Sequence, residues 1–218
     1  ICKSMAKYMA TLGYTIVVTD KQKEKGTKVS KEIQRNGGEA IFHEVNLLDK
    51  QSISALVEYV GIQLGQIDCI VNGARTHLKE NSFPASMSEW DNAMQVMLKA
   101  PAILISEALP WLRKSNNASV VNISSTNAYL ISQQPISYHI AKAGLVQLTK
   151  SLAVELGSEK IRVNAVCPGL VENPDRQKTT LNHPQQNQII ESVVPLQKPC
   201  TADQIGATVA FLCSNEAQ

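Results

Sequence analysis

Two short β-branched stretches, SVVNI at residues 119–123 and IRVNAV at residues 161–166, flank a helical stretch at residues 137–156. Each apolar run is nearly continuous, as expected for a strand that is buried on both faces of a sheet. Between them, apolar residues recur at the three- and four-residue spacing of a helix. The arrangement predicts a right-handed β-α-β unit with parallel strands.

The same alternation extends to both ends of the chain. Further strands are predicted at residues 15–19, 40–42 and 68–71, and further helices at 5–12, 22–35, 51–64, 88–113 and 201–212. Gly13 and Gly65 end two of these helices, and the pattern Ser88-Glu89-Trp90-Asp91 opens another as a capping box. The sequence therefore predicts an α/β fold: a doubly wound parallel sheet of Rossmann type in three layers, αβα, with residues 1–218 as a single domain.

The composition of the chain disfavours some classes of binding partner. The chain has 218 residues, 44% of them hydrophobic and 18% charged, and a net charge of +2, so nucleic acid and membrane surfaces are disfavoured as partners. Its five cysteines form no C-x-x-C pair, so we expect no metal site and reduced thiols in a cytoplasmic protein. The chain does not begin with Met and ends at SNEAQ, so we expect both ends to be truncated.

Sheets of this kind bind ligands at the carboxyl ends of their strands. The residues at those ends are small, polar or glycine, as a cofactor cleft requires: Asp20, Asn46, Asn72-Gly73-Ala74, Ser124-Ser125 and Cys167-Pro168-Gly169.

Tyr138 and Lys142 lie four residues apart, which places them on one face of the helix. A cation one turn away favours the phenolate form of a tyrosine, and such a pair can move a proton to or from a carbonyl or alcohol oxygen. Alone, Y-x-x-x-K is a weak pattern that surface pairing explains as well. Ser125 adds a hydroxyl 13 residues upstream, just after the strand at 119–123.

Together, V-N-I-S-S, Y-H-I-A-K, A-V-E-L and I-R-V-N-A-V-C-P-G resemble the motifs of the short-chain dehydrogenase/reductase family, over nearly the whole chain. The resemblance implies hydride transfer between a nicotinamide ring and a small-molecule secondary alcohol or ketone. Tyr138 would exchange the proton on the substrate oxygen, and Ser125 would hydrogen-bond that oxygen. Lys142 would bind the nicotinamide ribose and favour the phenolate.

The resemblance also implies a cofactor site. Pro168, Gly169 and Val171 would lie along the nicotinamide, Asn72-Gly73-Ala74 beside the adenosine ribose, and Asn46 and Leu47 near the adenine. A glycine-rich phosphate loop is expected just before Ile1. Asp20 would accept hydrogen bonds from the adenosine ribose hydroxyls and repel a 2′-phosphate, so NAD(H) is favoured over NADP(H), although Lys21 and Lys23 weaken this preference. An ordinary turn carboxylate at a strand end is the alternative for Asp20.

The sequence departs from the family at four positions. Arg75 stands where glycine is usual, and Met97 where an asparagine helps to hold a water of a proton relay. Asn173 replaces a threonine, and Asn46 an aspartate. A catalytically weakened relative that binds a nucleotide or a partner is therefore the alternative function.

The substrate and the assembly are less determined. The polar loop Glu172–Leu196 carries Arg176, Lys178 and His183, which suit an anionic or polyhydroxylated substrate or an ordinary solvated surface. Apolar residues on two helices (Leu104, Ala108, Leu148 and Leu152) suit the pairing that the resemblance implies, in a homodimer or homotetramer, or core packing.

Overall fold

The computed structural model describes residues 1–76, 78, 86–172 and 192–218. The strands are β1 (Ile16–Asp20), β2 (Ala40–Glu44), β3 (Cys69–Asn72), β4 (Ser119–Ile123) and β5 (Arg162–Val166). The α-helices are α1 (Cys2–Thr11), α2 (Lys23–Arg35), α3 (Lys50–Leu64), α4 (Met87–Met94), α5 (Ala100–Leu112), α6 (Ile136–Leu156) and α7 (Ala202–Cys213).

Every strand pairing is parallel, and the strands form two ladders, β1-β2 and β3-β4-β5. In the second ladder Asn72 lies beside Asn122, and Ile123 beside Val166, so the carboxyl ends of its strands are level. The sequence predicts one sheet, but the described residues form two separate ladders. No strand pairing joins β1 to β3 in this part of the chain. The phosphate loop expected before Ile1 stays a prediction.

Helices cover both faces of the β3-β4-β5 ladder. Val120 and Val121 are both fully buried, and as neighbours in a strand they point to opposite faces. Val120 packs in a cluster with Ile105 and Leu112 of α5, whereas Val121 packs with Met5 and Met9 of α1 and with Val209 of α7. The three-layer α/β fold is therefore confirmed.

The predicted helix at 88–113 is wrong in two respects. It begins at Met87 with Ser86 as N-cap, so the capping box placed at Ser88 does not mark its start. It is also interrupted by a π-helical turn, Gln95–Lys99, between α4 and α5. The reason is Pro101, which has no N–H to donate to the carbonyl of Met97, while the Ala100 N–H bonds to the carbonyl of Gln95, five residues earlier.

The first helix begins at Cys2, three residues before the predicted start, and the other predicted boundaries agree with the structure to within one or two residues. Gly13 and Gly65 have positive φ angles of 87° and 79°, the left-handed conformation that suits glycine after a helix. Thr201 and Gln204 form a reciprocal capping box at the start of α7. Most of the polar loop predicted at Glu172–Leu196, with Asn173, Arg176, Lys178 and His183, lies outside the described residues. Among the described helices, none is both long enough and apolar enough to cross a bilayer.

Candidate active site

The three predicted catalytic side chains come from β4 and α6. Ser125 follows β4 and is the N-cap of a short 3₁₀ turn, Thr126–Ala128, where its Oγ accepts a hydrogen bond from the Asn127 N–H at 3.2 Å. This turn packs against α6, which carries Tyr138 and Lys142. All three residues are buried, with 9%, 8% and 3% of their surface exposed, respectively. The structure therefore brings Ser125, Tyr138 and Lys142 to the carboxyl edge of β4.

Lys142 is a buried cation held by main-chain atoms. Its Nζ donates to the carbonyl of Ile123 at 2.7 Å, and the Ser124 hydroxyl donates to the Lys142 carbonyl at 2.8 Å. Burial lowers the pKa of Lys142 to about 8, and the positive charge of Arg75 acts in the same direction. Since that value stays above neutral, the ammonium is charged at pH 7, and two of its three N–H groups have no partner among the described residues.

His139, next to Tyr138, is held in a structural role. Its Nε2 lies 3.0 Å from the Ser132 N–H and accepts from it, so the ring proton is on Nδ1, which donates to the carbonyl of Pro135 at 3.0 Å. Both ring nitrogens are thus used by the main chain before and at the start of α6. These bonds fix the segment that leads into the turn of helix carrying Tyr138.

A second cation lies on the ring of Tyr138. The guanidinium carbon of Arg75 is 4.9 Å from the ring centroid, and the Lys142 Nζ is 5.8 Å from it, both within cation–π range. Arg75 follows β3 and is exposed, and its Nη2 donates to Gln134 Oε1 at 2.8 Å. The arginine that replaces the usual glycine therefore lies against the ring of Tyr138.

Met97 forms the apolar wall of this site. It is 1% exposed, lies in the π-helical turn, and packs in one cluster with Tyr138, Ala93 and Ala141. Since a thioether is only a weak acceptor and no donor, the position offers little polar contact to a water.

A buried polar chain supports the cleft from behind. Asn72 Nδ2 donates to Asn122 Oδ1 at 2.8 Å, Asn122 Nδ2 donates to Thr149 Oγ1 at 2.9 Å, and that hydroxyl donates to the Leu145 carbonyl at 2.7 Å. The chain joins β3, β4 and α6. It fixes Asn72, a predicted cofactor residue, through side-chain bonds that lie within the protein.

Gly73 makes room for Cys2. A Cβ at residue 73 would lie 2.5 Å from the Cys2 sulfur, which is too close for any side chain without movement. The Cys2 thiol instead donates to the Gly73 carbonyl at 3.3 Å. Ala74 follows on the same loop and is exposed.

The predicted adenosine residues lie at the ends of β1 and β2. Asp20 ends β1, and its Oδ1 accepts from the Gln22 N–H at 2.8 Å. Asn46 follows β2, its Oδ1 accepts from the Leu48 N–H at 3.1 Å, and the Leu47 carbonyl accepts from Gln95 Nε2 at 3.1 Å. Since β1 and β2 are paired in register, Asp20 and Asn46 share one edge.

The predicted nicotinamide residues follow β5. The Pro168 carbonyl accepts from the Thr126 N–H at 3.0 Å, which ties this turn to the one that Ser125 caps. Gly169 lies against Thr126, and Val171 forms a parallel bridge with Cys200. The structure thus places Pro168 and Gly169 beside the Ser125 turn, whereas Asp20 and Asn46 belong to the other ladder.

These residues fit a dinucleotide. Two free N–H groups on a buried ammonium suit vicinal hydroxyls, and the second carboxylate oxygen of Asp20 has no hydrogen-bond donor among the described residues. No group of three or more His, Cys, Asp or Glu side chains suited to a metal ion occurs in the described part of the chain.

Sequence reasoning missed several residues that act through others. Gln134 anchors Arg75, His139 fixes the approach to α6, and Asn122 connects Asn72 to Thr149. Of these residues, only Asn122 could be recognised from the sequence, because a polar residue within the apolar run SVVNI must have a buried partner. The other two contacts depend on tertiary packing.

Comparison with known proteins shows the family of this chain. The family model described as enoyl-(acyl carrier protein) reductase matches residues 1–218. The 3-oxoacyl-[acyl-carrier-protein] reductase FabG of Staphylococcus aureus (strain Mu50 / ATCC 700699) is 30% identical over 219 residues, which cover all of this chain and 88% of the relative. The chain belongs to the short-chain dehydrogenase/reductase family.

Other short-chain dehydrogenases/reductases support this assignment. FabG of Aquifex aeolicus (strain VF5) is 29% identical over 218 residues, covering all of this chain and 87% of its own. A solved 7α-hydroxysteroid dehydrogenase, in complex with NADH and 7-oxoglycochenodeoxycholic acid, superimposes with a TM-score of 0.89 at 27% identity, covering 99% of this chain and 83% of its own. The chain is therefore an oxidoreductase-family protein with a nicotinamide-binding fold.

Proposed function

We propose that this protein transfers a hydride between NAD(H) and a secondary alcohol or ketone, with Tyr138 as acid and base. One observation carries the proposal: Tyr138 is buried with Lys142 Nζ 5.8 Å from its ring, at the strand edge where Ser125 is also presented. An acid and a hydrogen-bond donor at one edge suit a reaction in which charge develops on a carbonyl oxygen.

In the reducing direction, the Tyr138 hydroxyl donates its proton to the carbonyl oxygen of the substrate. The Ser125 hydroxyl donates a hydrogen bond to the same oxygen and stabilises its developing negative charge. The Lys142 ammonium binds ribose hydroxyls through its two free N–H groups, and its charge stabilises the phenolate left on Tyr138. A bound nicotinamide supplies or accepts the hydride.

The preference for NAD(H) rests on Asp20. Its carboxylate stands at the end of β1 with one oxygen free to accept from ribose hydroxyls, and a 2′-phosphate there would meet a like charge. Lys21 and Lys23 follow it directly and reduce the repulsion. We therefore expect tighter binding of NADH than of NADPH, by a moderate margin.

The test is turnover on a panel of ketones and alcohols with each nucleotide, beside Tyr138→Phe. Binding of NADH by both proteins, with turnover by the natural protein alone, would support the proposal. Turnover that survives in Tyr138→Phe would refute the role of the tyrosine, and failure to bind either nucleotide would refute the cofactor assignment.

A catalytically weakened nucleotide-binding or partner-binding relative is the second candidate. The observation in its favour is Met97, which fills the wall beside Tyr138 with an apolar side chain where a water-holding asparagine is usual. The two candidate functions differ in the expected rate of hydride transfer to a substrate. NADH binding with no hydride transfer to any member of the panel would favour the weakened relative.

We also propose a cytoplasmic homodimer or homotetramer, in which the five cysteines, all unbridged here, stay reduced.

Three of the apolar residues that suit pairing of two copies are explained by packing within one copy. Ala108 is fully buried, and Leu104 and Leu152 pack against the core of this chain, so they do not require a second copy. Support comes instead from Ile140 and Val154 on α6, which are 44% and 86% exposed. Light scattering on the purified protein measures the assembly.

A further inference from the structure

We infer that Arg75 binds an anionic group of the substrate, which makes oxo and hydroxy carboxylates the substrate class of this enzyme. The inference rests on the proposed function and deepens it. It concerns a residue that the family's reaction does not require, since glycine is usual at this position.

The position of Arg75 is the first argument. Its guanidinium carbon lies 4.9 Å from the centroid of the Tyr138 ring. A substrate whose carbonyl oxygen accepts the proton of Tyr138 would therefore bind at the ring that Arg75 also contacts. An anionic group close to the reacting carbon would then lie near the guanidinium.

The free donors of Arg75 are the second argument. A guanidinium has five N–H donors in a planar fork that matches a carboxylate, and the bond to Gln134 Oε1, at 2.8 Å, uses one of them. Arg75 forms no ion pair with an acidic residue in the described part of the chain. The side chain is exposed and so open to a ligand, while Gln134 and the aromatic ring hold its orientation.

The third argument is the contrast with Lys142, the other cation near the Tyr138 ring. Lys142 is 3% exposed and bonded to the Ile123 carbonyl, so it can contact a ligand only in the inner part of the cleft. Burial is the main cause of the lowered pKa of Lys142, and repulsion from the positive charge of Arg75 lowers it further. An anion bound to Arg75 would relieve that repulsion, so a charged substrate fits this site better than a neutral one.

The experiment compares acetoacetate with its neutral methyl ester, using natural protein, Arg75→Gln, Arg75→Lys and Arg35→Gln. The measured quantity is the ratio of kcat/KM for the acid to kcat/KM for the ester. We expect this ratio to fall about ten- to hundredfold in Arg75→Gln, the range of one lost hydrogen bond to a charged group, and to do so chiefly through the KM for the acid. Arg75→Lys should lose less. Arg35→Gln removes the same charge at the end of α2 and should keep the natural ratio.

Inhibition gives a second readout. Butanoate should compete more strongly than butanamide in the natural protein, and this difference should shrink in Arg75→Gln. An equal fall in kcat/KM for acid and ester would mean that Arg75 acts on Tyr138 alone and would overturn the inference. If neutral ketones are turned over and Arg75→Gln leaves the acid-to-ester ratio of kcat/KM unchanged, the inference is wrong but the proposed oxidoreductase function stands. If the natural protein, like Tyr138→Phe, transfers no hydride to any ketone, both the proposed function and this inference are refuted.

Discussion

The two sides of Tyr138 are built differently. On the α6 side, Lys142 is buried and bonded to the Ile123 carbonyl, and Ser125 caps a turn that packs on the same helix. The second side is defined by two residues outside α6 that contact Tyr138: Arg75, which is exposed, and Met97, an apolar residue in a π-helical turn. The first side holds the groups that we propose for proton transfer, and the second differs from the family's usual residues. We infer from this difference that the proposed reaction depends on the α6 side and that the choice of substrate depends on the second side.

Apart from loss of the tyrosine itself, the largest effect is expected at Ser125, on the α6 side. Ser125→Ala removes the hydroxyl proposed to stabilise charge on the substrate oxygen, and loss of one such donor costs about 10²- to 10³-fold in kcat. Steady-state kinetics on the best ketone of the panel measures it. Ser151→Ala, the same change on an exposed part of α6, should leave kcat as it is. A fall of less than tenfold at Ser125 would contradict its placement at the reacting oxygen.

The burial of Lys142 predicts a pH-dependent stability. Its pKa is about 8 in the folded protein and about 10.5 when unfolded, so between these values the unfolded state holds the proton that the folded state has released. The natural protein should therefore gain stability as pH rises through this window. Relative to Lys142→Met, we expect a gain of roughly 2 kcal/mol between pH 7 and 9.5.

Urea unfolding of both proteins at several pH values measures this difference, because groups that the two proteins share cancel. A difference that stays constant or falls with pH would show that Lys142 keeps an ordinary pKa. The α6 side would then be more open to water than its 3% exposure indicates.

A smaller effect is expected at Met97, on the opposite side. Met97→Asn restores the family's usual residue type but buries an amide among Tyr138, Ala93 and Ala141, at a cost of about 1–2 kcal/mol in the free energy of unfolding. Met97→Leu keeps the site apolar and should cost less than about 1.5 kcal/mol. Denaturant unfolding gives both values. An asparagine variant as stable as the natural protein, with higher turnover, would mean that a water occupies this wall and that the natural enzyme is weakened by its methionine.

Sequence reasoning predicted the α6 side better than the other. The strand SVVNI and the helix after it follow from a β-branched run and a regular apolar spacing, both local properties, and β4 matches the prediction at both ends. The π-helical turn was not predicted because it depends on which carbonyl the Ala100 N–H reaches once Pro101 cannot donate. Arg75 was recognised as unusual, but its contact with Tyr138 joins residues 63 positions apart, a distance that no local pattern encodes.

The proposed role of Tyr138 is to give up a proton while a hydride reaches the substrate carbon. Its most direct test is a single turnover of natural protein and Tyr138→Phe with NADH deuterated at the transferred position, followed by mass spectrometry of the alcohol product. The account predicts deuterium on the carbinol carbon with the natural protein, and a rate about 10²- to 10⁴-fold lower with the phenylalanine variant while NADH binding is retained. Product without deuterium, or equal rates in the two proteins, would contradict it.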